Sequence, residues 1–108
     1  MLQKLFAPQS IAVIGASEDI QKPGGRIVRN LLLKGYKGRL FLVNPRASRV
    51  QGLPAYPSPL NLPETPDLAF IAIPGKFVAA ALEEIASLGT KHVIVLSAGF
   101  GEVNEKGK

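Results

Sequence analysis

Four short apolar runs punctuate the chain: IAVIG at 11–15, LFLV at 40–43, LAFIAI at 68–73 and HVIVLSA at 92–98. Each is nearly continuous rather than alternating, the pattern of a strand buried on both faces of a parallel sheet. Between the first two runs, GGRIVRNLLLKG places Ile27, Val28, Leu31 and Leu32 on one stripe and turns Arg26, Arg29 and Asn30 away from it. This predicts an amphipathic helix that closes at Gly35, with glycine just past its end. Between the third and fourth runs, KFVAAALEEIASLG repeats the plan: Val78, Ala81, Leu82 and Ile85 on one side, Glu83 and Glu84 on the other, and Gly89 as the stop. Strands thus alternate with helices at the roughly thirty-residue spacing of βαβ units, whose crossovers are right-handed. The predicted fold class is α/β: a Rossmann-like, doubly wound parallel sheet in three layers, α/β/α.

The stretch 46–66, RASRVQGLPAYPSPLNLPETP, breaks this alternation because Pro54, Pro57, Pro59, Pro63 and Pro66 forbid a long helix. It reads as an extended connection with a short helical turn around 58–62, and its Leu53, Tyr56, Leu60 and Leu62 are expected to pack on the sheet. After the fourth run, GFGEVNEKGK looks like the start of a further helix. Sheets of this class usually have at least one more strand, so residues 1–108 are expected to be one truncated domain, the amino-terminal part of a longer protein.

Composition narrows the chemistry. An apolar fraction of 46% with few aromatics describes a folded globular domain. No apolar run approaches the twenty or so residues that span a bilayer, and MLQKLFAPQS is too short and too broken by Pro8 for a secretory signal, so the expected location is the cytoplasm and no membrane partner is expected. The absence of cysteine excludes disulfides, thiolate metal sites and a cysteine nucleophile. The single histidine, His92, opens a strand and reads as structural.

The formal charge is +5, and its distribution matters more than its size. No acid lies between Asp19 and Glu64, whereas Lys22, Arg26, Arg29, Lys34, Lys37, Arg39, Arg46 and Arg49 do. Some of these cations solvate a helix face; those nearest the glycine-rich loop and the second strand would form an anion site. No helix-turn-helix, zinc or stacked-aromatic signature accompanies them, and no nucleic-acid partner is expected.

In an open parallel sheet, ligands sit beyond the carboxyl ends of the strands, where the strand order reverses. GASEDIQKPGGR at 15–26 is the loop that leaves the first of these ends. Its glycines allow a tight turn and close approach of an anion to the start of a helix. The spacing is not the G-x-G-x-x-G of dinucleotide folds, because Ser17 and Ile20 stand where glycines would. At the end of the second strand an NAD site wants a carboxylate, and VNPR offers Asn44, Pro45 and Arg46 instead. A guanidinium there suits a phosphorylated ribose, which leaves two ligands: NADP, or coenzyme A with its 3′-phosphate.

FAPQSIAVIGAS, KPGGRIVRNLLLKGYKGRLFLVNPR, GLPAYPS, PDLAFIAIP and VIVLSAGFGE, in that order, closely resemble the amino-terminal coenzyme A-binding domain of the NDP-forming acyl-CoA synthetases. This family includes ADP-forming acetyl-CoA synthetase and is similar to the succinyl-CoA synthetase alpha chain. The resemblance implies a cofactor, coenzyme A or its acyl form. Its phosphates and adenosine would lie against Gly15, Ala16, Ser17, Lys22, Pro23 and Gly24, with Asn44, Pro45 and Arg46 beside the ribose phosphate. Ile73 and Pro74 would line the far side, and Ser97, Ala98 and Gly99 would flank the pantetheine arm. The family more often has lysine where Arg46 stands.

In such ligases a phosphoryl group passes from nucleotide to a histidine and then to the acid, and the thiol attacks the acyl phosphate. That histidine belongs to a later domain, which His92 does not match; Glu102 matches a family glutamate position without an assigned role. The resemblance therefore implies no catalytic residue and no metal in this chain. The implied partners are the catalytic, ATP-grasp domains of a parent protein or of another subunit, and a homo-oligomer is left open. The same domain also opens a group of lysine acetyltransferases, where it would sense acyl-CoA.

Overall fold

The computed structural model describes residues 8–96. Its elements are β1 (Ser10–Ile14), α1 (Pro23–Leu33), β2 (Arg39–Val43), β3 (Arg49–Val50), β4 (Leu53–Tyr56), β5 (Leu68–Ile71), α2 (Val78–Ser87) and β6 (His92–Val95), with 3₁₀ turns at Pro59–Asn61 and Gly75–Phe77. The strands form one sheet in the order β3-β4-β2-β1-β5-β6. All pairings are parallel except β3 with β4. The strand order reverses between β1 and β5, so the Rossmann-like expectation holds and the switch point lies at the end of β1.

β1 is buried at every position because both neighbours and both helical layers cover it. Its alternate residues serve two cores. Ile11 and Val13 pack with Leu42, Leu68 and Val28 beneath α1; Ala12 and Ile14 pack with Phe41, Val43, Ala69 and Ile71 beneath Val78, Ala81 and Ile85 of α2. Continuous apolar runs are what a strand covered on both faces requires.

α1 touches the sheet through its first turns: Gly24, Gly25 and Val28 are its buried residues. In the last turn Leu31 still packs against the core, whereas Leu32, expected on the buried stripe, is 43% exposed. The helix closes with Tyr36 N–H on the Leu31 carbonyl and Gly35 N–H on the Leu32 carbonyl, the double bond of a glycine-stopped helix end. In α2, Leu82 likewise sits at the margin of the stripe and is exposed.

The proline-rich connection contains more order than its sequence predicts. Arg49–Val50 and Leu53–Tyr56 make an antiparallel hairpin, and the two turn residues, Gln51 and Gly52, have φ of 50° and 87°. Positive φ at both positions is what a two-residue type I′ turn demands. Pro54 is tolerated because the pairing of β4 with β2 begins only at Ala55, so the proline lies outside that ladder. Leu53, Tyr56 and Leu62 pack against the cores, whereas Leu60 is exposed. The expected helical turn is there, with Ser58 Oγ accepting the Leu60 N–H at 3.1 Å.

At the opposite end of the sheet, the Tyr36 hydroxyl donates to the Pro8 carbonyl at 2.7 Å and ties down the segment before β1. Burial, and then the nearby Asp67 carboxylate, push the Tyr36 phenol above its ordinary value of 10.0, with Arg39 opposing weakly. The neutral phenol is therefore favoured by folding. Its contribution is fully present below that value and is lost as pH rises through the raised one. Tyr36→Phe should lower stability by about 1 kcal/mol at neutral pH. It should also remove part of the wild-type loss above pH 10, as read by urea unfolding across that range.

Candidate functional site

The end of β1 is built by close approach. Gly15 has φ +92°, and a Cβ there would overlap the Ala72 carbonyl at the end of β5. A Cβ on Gly24 would overlap the Gly15 carbonyl itself. Only glycine at both places lets α1 begin directly on the strand end. Gly15 and Ala16 both donate their N–H to the Val43 carbonyl, at 3.0 and 3.2 Å, which continues the β1–β2 ladder past the last strand residue. The other rim residues are held in the same way: Ala72 N–H on Ile14, Leu96 N–H on Ile71 and Asn44 N–H on Tyr56.

The loop between β1 and α1 supplies its own turns. Ser17 Oγ accepts the Asp19 N–H at 2.9 Å, Asp19 Oδ1 accepts the Gln21 N–H at 2.9 Å, and the Lys22 N–H donates to the Asp19 carbonyl at 3.0 Å. α1 then starts at Pro23 in the favoured first position, with no side chain capping it and no acid in its first turn. The N–H groups of Ser17, Gly24 and Gly25 meet no acceptor among the described residues. Unfilled donors at a helix start attract an anion.

Ser17 borders a cleft of about 400 Å³ between the β1 loop and the ends of β2, β5 and β6. Of the residues expected at the site, Gly15, Ala16, Ser17, Lys22, Pro23, Asn44, Ile73 and Pro74 line this cleft, joined by Ala72 and Leu96. Gly24 is buried directly beneath it. A second, more apolar hollow of about 430 Å³ shares Gly15, Ile73 and Pro74 with the first and adds Pro45, Pro57, Pro59 and Phe77. Arg46 is exposed and lines neither. It stands beside the rim, on the same side as Ser17, because the Asn44 side chain joins its backbone to the β1 loop. Ser97, Ala98, Gly99 and Glu102 lie outside the described residues.

Asn44 was expected beside a ribose phosphate, and most of its amide is engaged with the protein. Oδ1 accepts the N–H groups of Arg46 and Ala47 at 2.8 and 2.9 Å, and Nδ2 donates to the Ala16 carbonyl at 2.9 Å. The cations are distributed unevenly. Arg39 pairs with Glu64 at 2.8 Å and starts β2, so it belongs to the far end of the sheet. Lys22 and Arg46 form no ion pair with any other described residue and remain the positive charges of the rim.

The sequence reasoning missed Ala72 and Leu96, which follow the third and fourth apolar runs and so mark strand ends. It also missed Pro57, Pro59 and Phe77, whose only signal was a cluster of rigid apolar residues with too few partners to form a core of their own.

Residues 9–106 match the protein-family model described as "CoA binding domain". The chain is 45% identical over 106 residues to an ADP-forming acetate–CoA ligase II of Archaeoglobus fulgidus, covering 98% of this chain and 16% of that protein. It is 46% identical over 109 residues to the alpha subunit of an ADP-forming acetate–CoA ligase II of Pyrococcus furiosus, covering 100% and 23%. Among solved structures, dinucleotide-forming acetyl-coenzyme A synthetase 1 of Ca. Korarchaeum cryptofilum, in complex with phosphate and ADP, superposes with a TM-score of 0.89 at 39% identity. That alignment covers 98% of this chain and 23% of the other. The chain thus spans less than a quarter of the length of each.

Asn44→Asp tests the rim. The new carboxylate still accepts from Arg46 and Ala47, but an acceptor oxygen now opposes the Ala16 carbonyl where a donor stood. Stability should fall by about 1–3 kcal/mol, measured by chemical denaturation; an unchanged midpoint would show that the amide does not hold the loop.

Proposed function

The chain belongs to the CoA-binding domain family, and from that premise we propose that the cleft at the end of β1 holds coenzyme A. The diphosphate sits against the free amides of Ser17, Gly24 and Gly25, with Lys22 beside it. The single observation that carries this reading is a cleft of suitable size lined by Ser17, whose N–H is unfilled, at the start of a helix where Gly24 and Gly25 leave two more donors. A diphosphate supplies the oxygens that such donors lack, and charge-assisted hydrogen bonds are the stronger kind. The adjoining apolar hollow, walled by Pro45, Pro57, Ile73 and Phe77, suits a flat heteroaromatic ring such as adenine. Arg46 reaches over the rim to the 3′-phosphate. The pantetheine arm runs out past Leu96.

The chain binds and positions; it does not itself turn over substrate. Among the described residues the cleft lining contains no carboxylate and no imidazole, and thioester formation falls to catalytic domains of a parent protein or partner subunit. The relatives named above are ADP-forming ligases, which favours that setting over a regulatory role in an acyltransferase. No helix among the described residues is long and apolar enough to cross a membrane, which fits a domain working on a water-soluble cofactor. An NADP reading gains nothing from the geometry, since nothing in the cleft distinguishes a nicotinamide ring.

Calorimetry with coenzyme A, 3′-dephospho-CoA and NADP tests the proposal. Coenzyme A should bind, NADP should not compete with it, and the dephospho form should bind about tenfold more weakly, the effect of roughly 1.4 kcal/mol from one exposed charged contact. Arg46→Ala should bring the two coenzyme forms to equal affinity. No heat with coenzyme A sinks the reading; equal affinity for both forms in the wild type removes Arg46 from its role.

A further inference from the structure

The turn of the β3–β4 hairpin reaches back across the loop that leaves β1. The Gln51 side-chain amide donates to the Ser17 carbonyl at 2.8 Å and to the Gly25 carbonyl at 3.0 Å. Its backbone N–H donates to the Glu18 carboxylate at 2.7 Å. One residue from a different part of the chain therefore joins the beginning of the loop to the first turn of α1.

We infer that Gln51 is a positioning residue for the cofactor site, an inference that rests on the coenzyme A reading above. A peptide group is planar, so holding a carbonyl on one side sends the N–H of the next residue to the other. By fixing the Ser17 carbonyl, Gln51 fixes the Ser17–Glu18 peptide; Asn44 does the same for the Ala16–Ser17 peptide through the Ala16 carbonyl. By bridging Ser17 to Gly25, the crossbar also sets the spacing between the loop amide and the amides at the helix start. The Ser17 carbonyl, which would repel a phosphate if it turned toward it, is held by one proton of the Gln51 amide while the other anchors that amide to the Gly25 carbonyl, itself fixed within α1. A preset arrangement of donors binds more tightly than one that must be ordered by the ligand.

The backbone at Gln51 argues that the side chain matters. Its φ is +50°, in the left-handed region that glycine or asparagine occupies with less strain. The turn alone would be better served by glycine, which has no amide to reach Ser17 and Gly25. Backbone preference and loop contact thus make opposite demands on this position, and a substitution can separate them.

Gln51→Gly relieves the turn and removes the crossbar. We expect it to keep the thermal midpoint at or above that of the wild type while weakening coenzyme A about tenfold in calorimetry. The ratio of affinities for coenzyme A and its 3′-dephospho form should stay as in the wild type, because the loss is in the diphosphate cradle and not at the ribose phosphate; Arg46→Ala should change that ratio instead. Gln51→Glu, of equal length but facing two carbonyls with acceptors, should bind more weakly than Gln51→Gly. Wild-type affinity in Gln51→Gly overturns the inference while leaving the coenzyme A reading intact. A wild-type chain that does not bind coenzyme A overturns that reading first, and this one with it.

Discussion

The contact of Gly24 with the carbonyl of Gly15 is the constraint from which the rest of the site follows. No other side chain fits between helix and strand end at either place, so α1 starts pressed against β1, and its first amides emerge at the sheet's switch point. Proline at position 23 starts the helix without a side-chain cap, leaving those amides for something other than the protein. The same contact explains why the buried part of α1 is its beginning, while its last turn shows Leu32 and Leu33 to solvent.

A loop pressed this close to a sheet must direct its carbonyls somewhere. Two side-chain amides from outside the loop hold three of them: Asn44 takes Ala16, and Gln51 takes Ser17 and Gly25. Within the loop, Ser17 and Asp19 accept backbone N–H groups, and the Glu18 carboxylate is turned toward the hairpin. The acidic residues of the loop are thereby occupied with backbone donors, and Lys22 and Arg46 keep their charge for the rim. Polarity at this end of the molecule comes from how peptide groups are aimed more than from the net charge of the chain.

Much of this was legible beforehand. The four apolar runs became β1, β2, β5 and β6 because burial on both faces leaves an unbroken signature, and both long helices followed from their stripes and glycine stops. Most of the cleft lining was legible too, since strand ends and the glycine loop can be located once the topology is known. The β3–β4 hairpin was hidden by prolines, although Gln51-Gly52 between Val50 and Leu53 was a usable turn signal. Leu32 was misplaced because it lies at the margin of the stripe, where Leu31 beside it takes the core contact, and Leu60 because an apolar residue in an irregular connection has no periodicity to say which way it faces. The bracing by Gln51 had no local signal, being a contact between segments that only folding brings together.

The hairpin has one more consequence, for the borders of the sheet. β3 is only two residues long and carries Arg49 opposite Pro54, a short, charged and proline-bearing margin that offers little ladder for another strand to join. The opposite flank is β6, a four-residue strand that pairs in parallel with β5 and contains neither proline nor a charged residue. Among the described residues the two flanks of the sheet are therefore unlike, and the cleft at the end of β1 opens between them.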